Sequence, residues 1–278
     1  MLVVGENVYP LCLLDTMAVS DMLDDRRDTF RNFYAWAMNV QPCFVPCFSP
    51  FTFIELRRRP DLFRRFTDVF EPLPCVMLKG YEQFLEEEAQ LYPDPSSLDP
   101  CAIAFTPLGG DGNRLRNLPS IMETPSIKRQ EAGWNNVRRD IAEGMVSLVP
   151  NYPADGDKYT DAELRAFIQQ AGWSQLALRA GAFMKQVLDS GSAVNIDVFP
   201  SLKAMLYTTF YKFYVDAPRK PADSDAFDII ISAAVPYVEA IFTENHQAEA
   251  LRKTKRRDAL IEELQIFSLR DFRDEPPS

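Results

Sequence analysis

Three short apolar runs, each followed by a segment with helical spacing, constrain this chain most. They are VYPLCLLD (Val8 to Asp15), PCFVPCFS (Pro42 to Ser49) and LPCVMLKG (Leu73 to Gly80). None alternates apolar with polar residues. A strand with one wet face would alternate, so these runs suit strands buried on both faces, as in a parallel sheet covered by helices. After the first run, the spacing predicts a helix from about Ser20 to Met38. After the second comes SPFTFIELRRRPDLFRRFTDVF, where Ser49 suits an N-cap, Pro50 the first helical position, and Pro60 a break or restart. The third leads into the acidic helix YEQFLEEEAQLY. Strand and helix in alternation predict an α/β fold with a central, mostly parallel sheet. Pro46 argues against a central place for the second strand, because proline has no ladder donor.

From about Pro93 the texture changes. YPDPSSLDPCAIAFTPLGGDGNRLRNLPS is rich in Pro, Gly, Ser and Asp and reads as loop. Helical patterns follow in SIKRQEAGWNNVRRDIAEGMVSLV, TDAELRAFIQQAGWSQLALRAGAFMKQVLDS and FPSLKAMLYTTFYKFYVD. Thr160 and Glu163 have the spacing of a capping box. Residues 93–192 are therefore expected to form a mostly helical insertion, packed on a core of residues 1–92 and 193–278. The α/β texture returns in SDAFDIIISAAVPYVEAIFTEN, with a helix from about Asp225 to Val235, a turn at Pro236-Tyr237 and a strand from about Val238 to Thr243. A basic helix, AEALRKTKRRDALIEEL, and a short strand, QIFSL, follow.

Composition narrows the partners. The 278 residues carry 30 basic and 40 acidic side chains, a net charge of −10. A chain this acidic meets nucleic acid through a local basic patch or through bound metal cations. Its five cysteines include four in apolar, strand-like contexts, and the odd count without a secretory leader predicts reduced thiols in the cytoplasm. Cys43 and Cys47 have no second pair, and the single histidine, His246, lies far off, so core thiols are expected rather than zinc ligands. The opening MLVVGENVYPLCLLD lacks the basic start and long apolar stretch of a signal peptide. No window approaches the roughly 18 apolar residues of a membrane span, so no membrane is expected.

The acids carry the chemistry. Ligand sites in open α/β sheets lie beyond the carboxyl ends of the strands. Asp15 ends the first strand run and Glu244 follows a late one, so both should face one crevice. Glu55 lies in the helix after the second strand. Asp225 and Asp228, three apart, share one helix face. Taken singly, each has a plain reading: Asp15 and Asp225 as caps, Glu55 as a surface residue beside Arg57, Arg58 and Arg59, and Glu244 as a loop residue. Taken jointly, clustered carboxylates repel unless cations offset them, and hard oxygen ligands select Mg²⁺ or Mn²⁺. Such a site supports metal-assisted phosphoryl transfer.

Together, CLLDTMAVS with Asp15, SPFTFIEL with Glu55, SDAFDIIISAAV with Asp225 and Asp228, and AIFTEN with Glu244 resemble the PIN domain family of metal-dependent nucleases. The likeness covers about Val8 to Tyr92 and Ser224 to Leu269. It departs at Asn245, where the family places its last acid two residues after the threonine. The Pro-Tyr turn, with Glu88 in FLEEEAQLYPD, resembles a subgroup of unassigned role. The resemblance implies a three-layer PIN-like fold with a large helical insertion, and cleavage of a phosphodiester backbone, RNA first and DNA second. Asp15, Glu55 and Asp228 are expected as metal ligands and catalytic residues, with Glu244 in the same roles and Asp225 as a further ligand. Thr243 and Ser49 are expected to hydrogen-bond the acids. Arg57, Arg58, Lys253, Lys255 and Arg256 are expected to hold the strand, which would make binding salt-dependent. A toxin-like setting implies a homodimer or a regulatory protein partner.

Three rivals stand beside this reading. A catalytically degenerate PIN-like binding or protein-interaction module would have Asn245 as its signature. A phosphatase of the haloacid dehalogenase type shares the start LLDTMAV, but that chemistry needs a second Asp where Met17 stands. An interaction protein would use the helical insertion as its docking surface.

Overall fold

The computed structural model describes residues 1–24, 27–39, 43–92, 103–105, 115–148, 159–191, 193–215 and 223–273, with the backbone alone at 103–105, 223–224 and parts of 116–148. A hairpin comes first, β1 (Leu2–Val4) with β2 (Asn7–Tyr9). Then come β3 (Leu11–Leu14), α1 (Thr16–Met22), α2 (Thr29–Asn39), β4 (Val45–Phe48), α3 (Pro50–Arg57), α4 (Pro60–Phe70), β5 (Val76–Leu78) and α5 (Tyr81–Leu91). The middle supplies β6 (Ile103–Phe105), α6 (Leu118–Met122), α7 (Pro125–Leu148), α8 (Asp161–Arg179) and α9 (Gly181–Asp189). After it come α10 (Pro200–Phe210) with a π turn at Tyr211–Val215, α11 (Asp223–Ser232), β7 (Ala240–Thr243), α12 (Asn245–Lys255), β8 (Gln265–Ser268) and α13 (Leu269–Arg273).

The main sheet runs β6-β5-β4-β3-β7-β8. Five strands are parallel, and β6 pairs antiparallel at the edge. All four residues of β3 are completely buried. Successive side chains point to opposite faces, so both faces of the sheet are covered. On one face Phe33 stacks on Phe242 at 6.0 Å, and Phe66 and Phe70 meet Phe48 at 5.0 and 5.1 Å. Elsewhere α10 contacts α5, α8, α11 and α12. The chain moves from β3 outward through β4 to β5, then returns to the other side of β3 with β7 and β8. The β3–β7 pair is therefore the topological switch point, and its carboxyl end is where sheets of this kind bind ligands.

Most boundaries follow local chemistry. The Ser49 hydroxyl accepts from the Phe51 N–H, and Pro50 opens α3. Pro60 restarts the chain as α4. Thr160 and Glu163 form the capping box of α8. Cys12, Cys47 and Cys75 are buried free thiols, and burial pushes the Cys75 thiol up to about 12. Cys101 lies outside the described residues.

The stretch after Pro93, expected as loop, supplies the edge strand β6, and two further expectations fail for local reasons. The single helix from Ser20 to Met38 is two helices, α1 and α2. Between them the buried Asp21 carboxylate accepts from Arg27, from the Thr29 hydroxyl at 2.7 Å and from Arg273 at 2.7 Å. Satisfying one buried charge from three directions needs a bend that a continuous helix would not allow. The second error concerns Pro46, which sits in β4 at the centre of the sheet. The Val45 N–H bonds the Pro10 carbonyl on the β3 side, so the next residue faces β5. Pairing with β5 begins only at Cys47 with Val76, so the missing proline donor breaks no ladder bond.

Candidate functional site

The five expected acids come from four separate stretches and meet at the carboxyl ends of β3 and β7. Asp15 follows β3 and caps α1: its Oδ1 accepts from the Ala18 N–H at 2.6 Å. Its Oδ2 accepts from the Thr243 hydroxyl and from the Glu244 N–H at 3.1 Å. The plain reading of Asp15 as a cap is thus correct, but it uses only one of the two oxygens. The other oxygen ties the end of β3 to the end of β7. Glu55, on α3, accepts from the Thr16 hydroxyl at 2.5 Å. Ser49, expected to bond an acid, instead caps its own helix, its hydroxyl accepting from the Phe51 N–H at 3.3 Å.

The electrostatics show how close the acids stand. Burial pushes the Asp15 carboxyl up to about 7, and the charge of Asp228 adds to the rise against hydrogen bonds from Thr243, Ala18 and Glu244. Burial likewise pushes Glu55 up to about 7, with Asp228 and Asp15 adding and Thr16 and Arg58 opposing. Asp228 is also raised, by burial first and then by Glu244 and Asp225. Lys212 opposes that rise. Carboxyl groups raised by burial and by one another are a mark of functional clusters.

Lys212 lay outside every expectation drawn from the sequence. Its ammonium is completely buried, 2.5 Å from Asp228, 3.3 Å from Glu244 and 3.7 Å from Asp225. Burial alone would lower its pKa, but Asp228, Glu244 and Asp225 raise it above the ordinary value. The lysine therefore stays charged inside the cluster. It comes from the π turn after α10, where Tyr211, Phe213 and Tyr214 are buried beside it. A signal for it was present: Lys212 is the only charged residue between Ala204 and Val215. A lone charge in so apolar a run is buried with the run and needs a buried partner.

The remaining donors suit a hard cation. All five acids offer carboxylate oxygens, as Mg²⁺ and Mn²⁺ require. The Asn245 Oδ1, one residue after Glu244, is buried and has no hydrogen-bond partner among the described residues. No three acids among the described residues stand close enough to form a finished metal cage.

The expected basic residues divide. Arg58 lies at the rim, its guanidinium 5.1 Å over the Phe227 ring and near enough to favour the charged form of Glu55. Arg57 turns away and bonds Glu123, Glu131 at 2.8 Å and the Met122 carbonyl at 3.4 Å, tying α3 to the helical middle. α12 starts at the acids and runs about 16 Å from them. Lys253, Lys255 and Arg256 therefore lie at its far end, where Lys255 bonds the Leu264 carbonyl at 2.8 Å ahead of β8. The structure does not bring these three to the acids.

A second buried carboxylate lies away from the cluster. Glu88 on α5 accepts from the Ser201 N–H at 2.8 Å, the Ser201 hydroxyl at 2.9 Å and the Tyr237 hydroxyl. The Tyr237 ring stacks on Phe84 at 4.7 Å. The Pro-Tyr turn and the acidic helix, set apart in sequence by 149 positions, thus meet through one hydrogen bond. No helix among the described residues is long and apolar enough to cross a membrane. Comparison with protein-family models, with curated proteins and with solved structures finds no match to this chain, so its relationships rest on the residues themselves.

Proposed function

We propose that the chain is a PIN-like, metal-dependent nuclease that hydrolyses phosphodiester bonds, with RNA as first substrate and DNA as second, in the reducing cytoplasm where its thiols persist. The observation that carries this is the convergence of Asp15, Glu55 and Asp228 at the switch point of the sheet, each raised by burial and by a like charge. Asp15, Glu55 and Asp228 would hold Mg²⁺ or Mn²⁺, which when bound supplies an activated water and offsets charge on the phosphate. The Thr243 hydroxyl and the Ala18 and Glu244 N–H groups fix Asp15, and the Thr16 hydroxyl fixes Glu55. Arg58, exposed at the rim, meets the phosphate of an incoming strand.

The test is cleavage of labelled RNA and DNA in Mn²⁺, comparing the native chain with Asp15→Asn and Asp228→Asn. The native chain is expected to cut and both variants to lose more than about 100-fold, the scale of a lost transition-state contact. Purified native protein that cuts nothing, or variants that cut equally well, would remove the enzymatic reading. A second reading, a catalytically silent binding module, is favoured by Lys212, which already bonds the oxygens of Asp228 and Glu244. It predicts nucleic acid binding without cleavage at any Mn²⁺ concentration.

A further inference from the structure

We propose that Lys212 is the permanent second cation of this centre, so that the centre takes one divalent ion, not two. The inference rests on the nuclease reading and specifies how that site is built. Paired-metal centres use two dications to hold the attacking and leaving oxygens of a phosphodiester. Here the five acids divide into two groups. Asp225, Asp228 and Glu244 face the Lys212 ammonium at 3.7, 2.5 and 3.3 Å. Among the described residues, Asp15 and Glu55 make no hydrogen bond or ion pair with it, and are held by hydroxyl and backbone donors. Asp228 belongs to both groups, because its charge raises Asp15 and Glu55 while its oxygen bonds the lysine.

The ammonium cannot readily leave. It is fully enclosed, and its segment is anchored by Tyr211, Phe213 and Tyr214 in the core. Withdrawing it would strand a buried charge and uncover three acids. A lysine ammonium is a compact point charge that competes for the same oxygens as a metal ion. Among the described residues Asp15 and Glu55 have no built-in cation of their own, while Asp228 stands between them and the lysine that it bonds. One dication belongs there, and the lysine supplies the fixed charge opposite it. Asp225 and Glu244 are then positioning residues, acting through the lysine rather than on the metal.

The experiment counts Mn²⁺ by calorimetric titration and by electron paramagnetic resonance on the whole chain, without substrate. The native chain is expected to bind one ion, and Lys212→Met two. Asp225→Asn should change the native Mn²⁺ affinity by less than about threefold, whereas Asp15→Asn should weaken it by more than about tenfold, the range seen when a metal loses a supporting group. Two ions on the native chain, one ion on a folded Lys212→Met, or a tenfold loss in Asp225→Asn each overturn the inference while leaving the nuclease reading intact. No Mn²⁺ on the native chain overturns the nuclease reading as well. If Lys212→Met does not fold, the native count and the Asp225→Asn affinity decide the matter.

Discussion

Two buried carboxylates, Asp15 and Glu88, are both pushed up to about 7, and in both the first cause is burial. Their surroundings differ. Glu88 accepts from neutral donors, Ser201 and Tyr237, and the charge of its neighbour Glu87 adds less to the rise than burial does. Asp15 lies among acids from three other stretches, with a lysine ammonium enclosed beyond them. The comparison teaches that a raised carboxyl shows burial and nothing more. What sets the Asp15 end apart is like charges brought together against their mutual repulsion, which core formation alone does not require.

The largest expected effect is at Lys212. Lys212→Met leaves Asp225, Asp228 and Glu244 unneutralised, and should cost about 3–5 kcal/mol in urea unfolding without metal, as when a buried ion pair loses one partner. Saturating Mn²⁺ should recover part of that loss. A variant as stable as the native chain would show that the lysine does not hold the cluster. Glu88→Gln should cost less, about 1–3 kcal/mol, because it disturbs neutral hydrogen bonds. It should leave Mn²⁺ affinity unchanged, and an altered affinity would erase the distinction between the two carboxylates.

Acidity sharpens the contrast. Asp15, Glu55 and Glu88 bind protons more tightly in the fold than their ordinary values of 3.8, 4.5 and 4.5. Between those values and about 7, the folded chain holds more protons than the unfolded one. Stability should therefore be fullest below about pH 4 for these three groups, and fall as pH rises toward 7. Mn²⁺ should flatten the share of that slope due to Asp15 and Glu55 and leave the share of Glu88, which Glu88→Gln removes. Urea melts at several pH values, with and without the metal, separate the two. The smallest effect is expected for Tyr237→Phe, about 1 kcal/mol, from one lost hydrogen bond to Glu88. Cleavage should be unaffected, so a fall in rate would tie the Glu88 region to the chemistry.

Much of this was legible along the chain. Asp15 and Glu244 were readable because burial on both faces leaves a strand run with no polar residue until its end. Asp225 and Asp228 were readable from helical spacing. The division between Arg57 and Arg58 was not, since adjacent helical residues point about 100° apart, and only the position of Glu123 and Glu131 decides which one is taken. Lys253, Lys255 and Arg256 misled because closeness in sequence to Glu244 was taken as closeness in space, whereas α12 carries them to the other end of the sheet. Lys212 was missed because its partners lie 13 to 32 positions downstream, beyond any local pattern.

The π turn that carries Lys212 has a consequence for how such a centre can change. One extra residue per turn sets the angular registry of everything in that segment. Removing Tyr211 would swing the lysine by about 100° relative to α10 and put Phe213 in its place. The charge of the cluster is therefore encoded twice, in the identity of the lysine and in the length of the segment that presents it. A lineage could empty or fill the cation position by a one-codon deletion or insertion, without altering any of the acids.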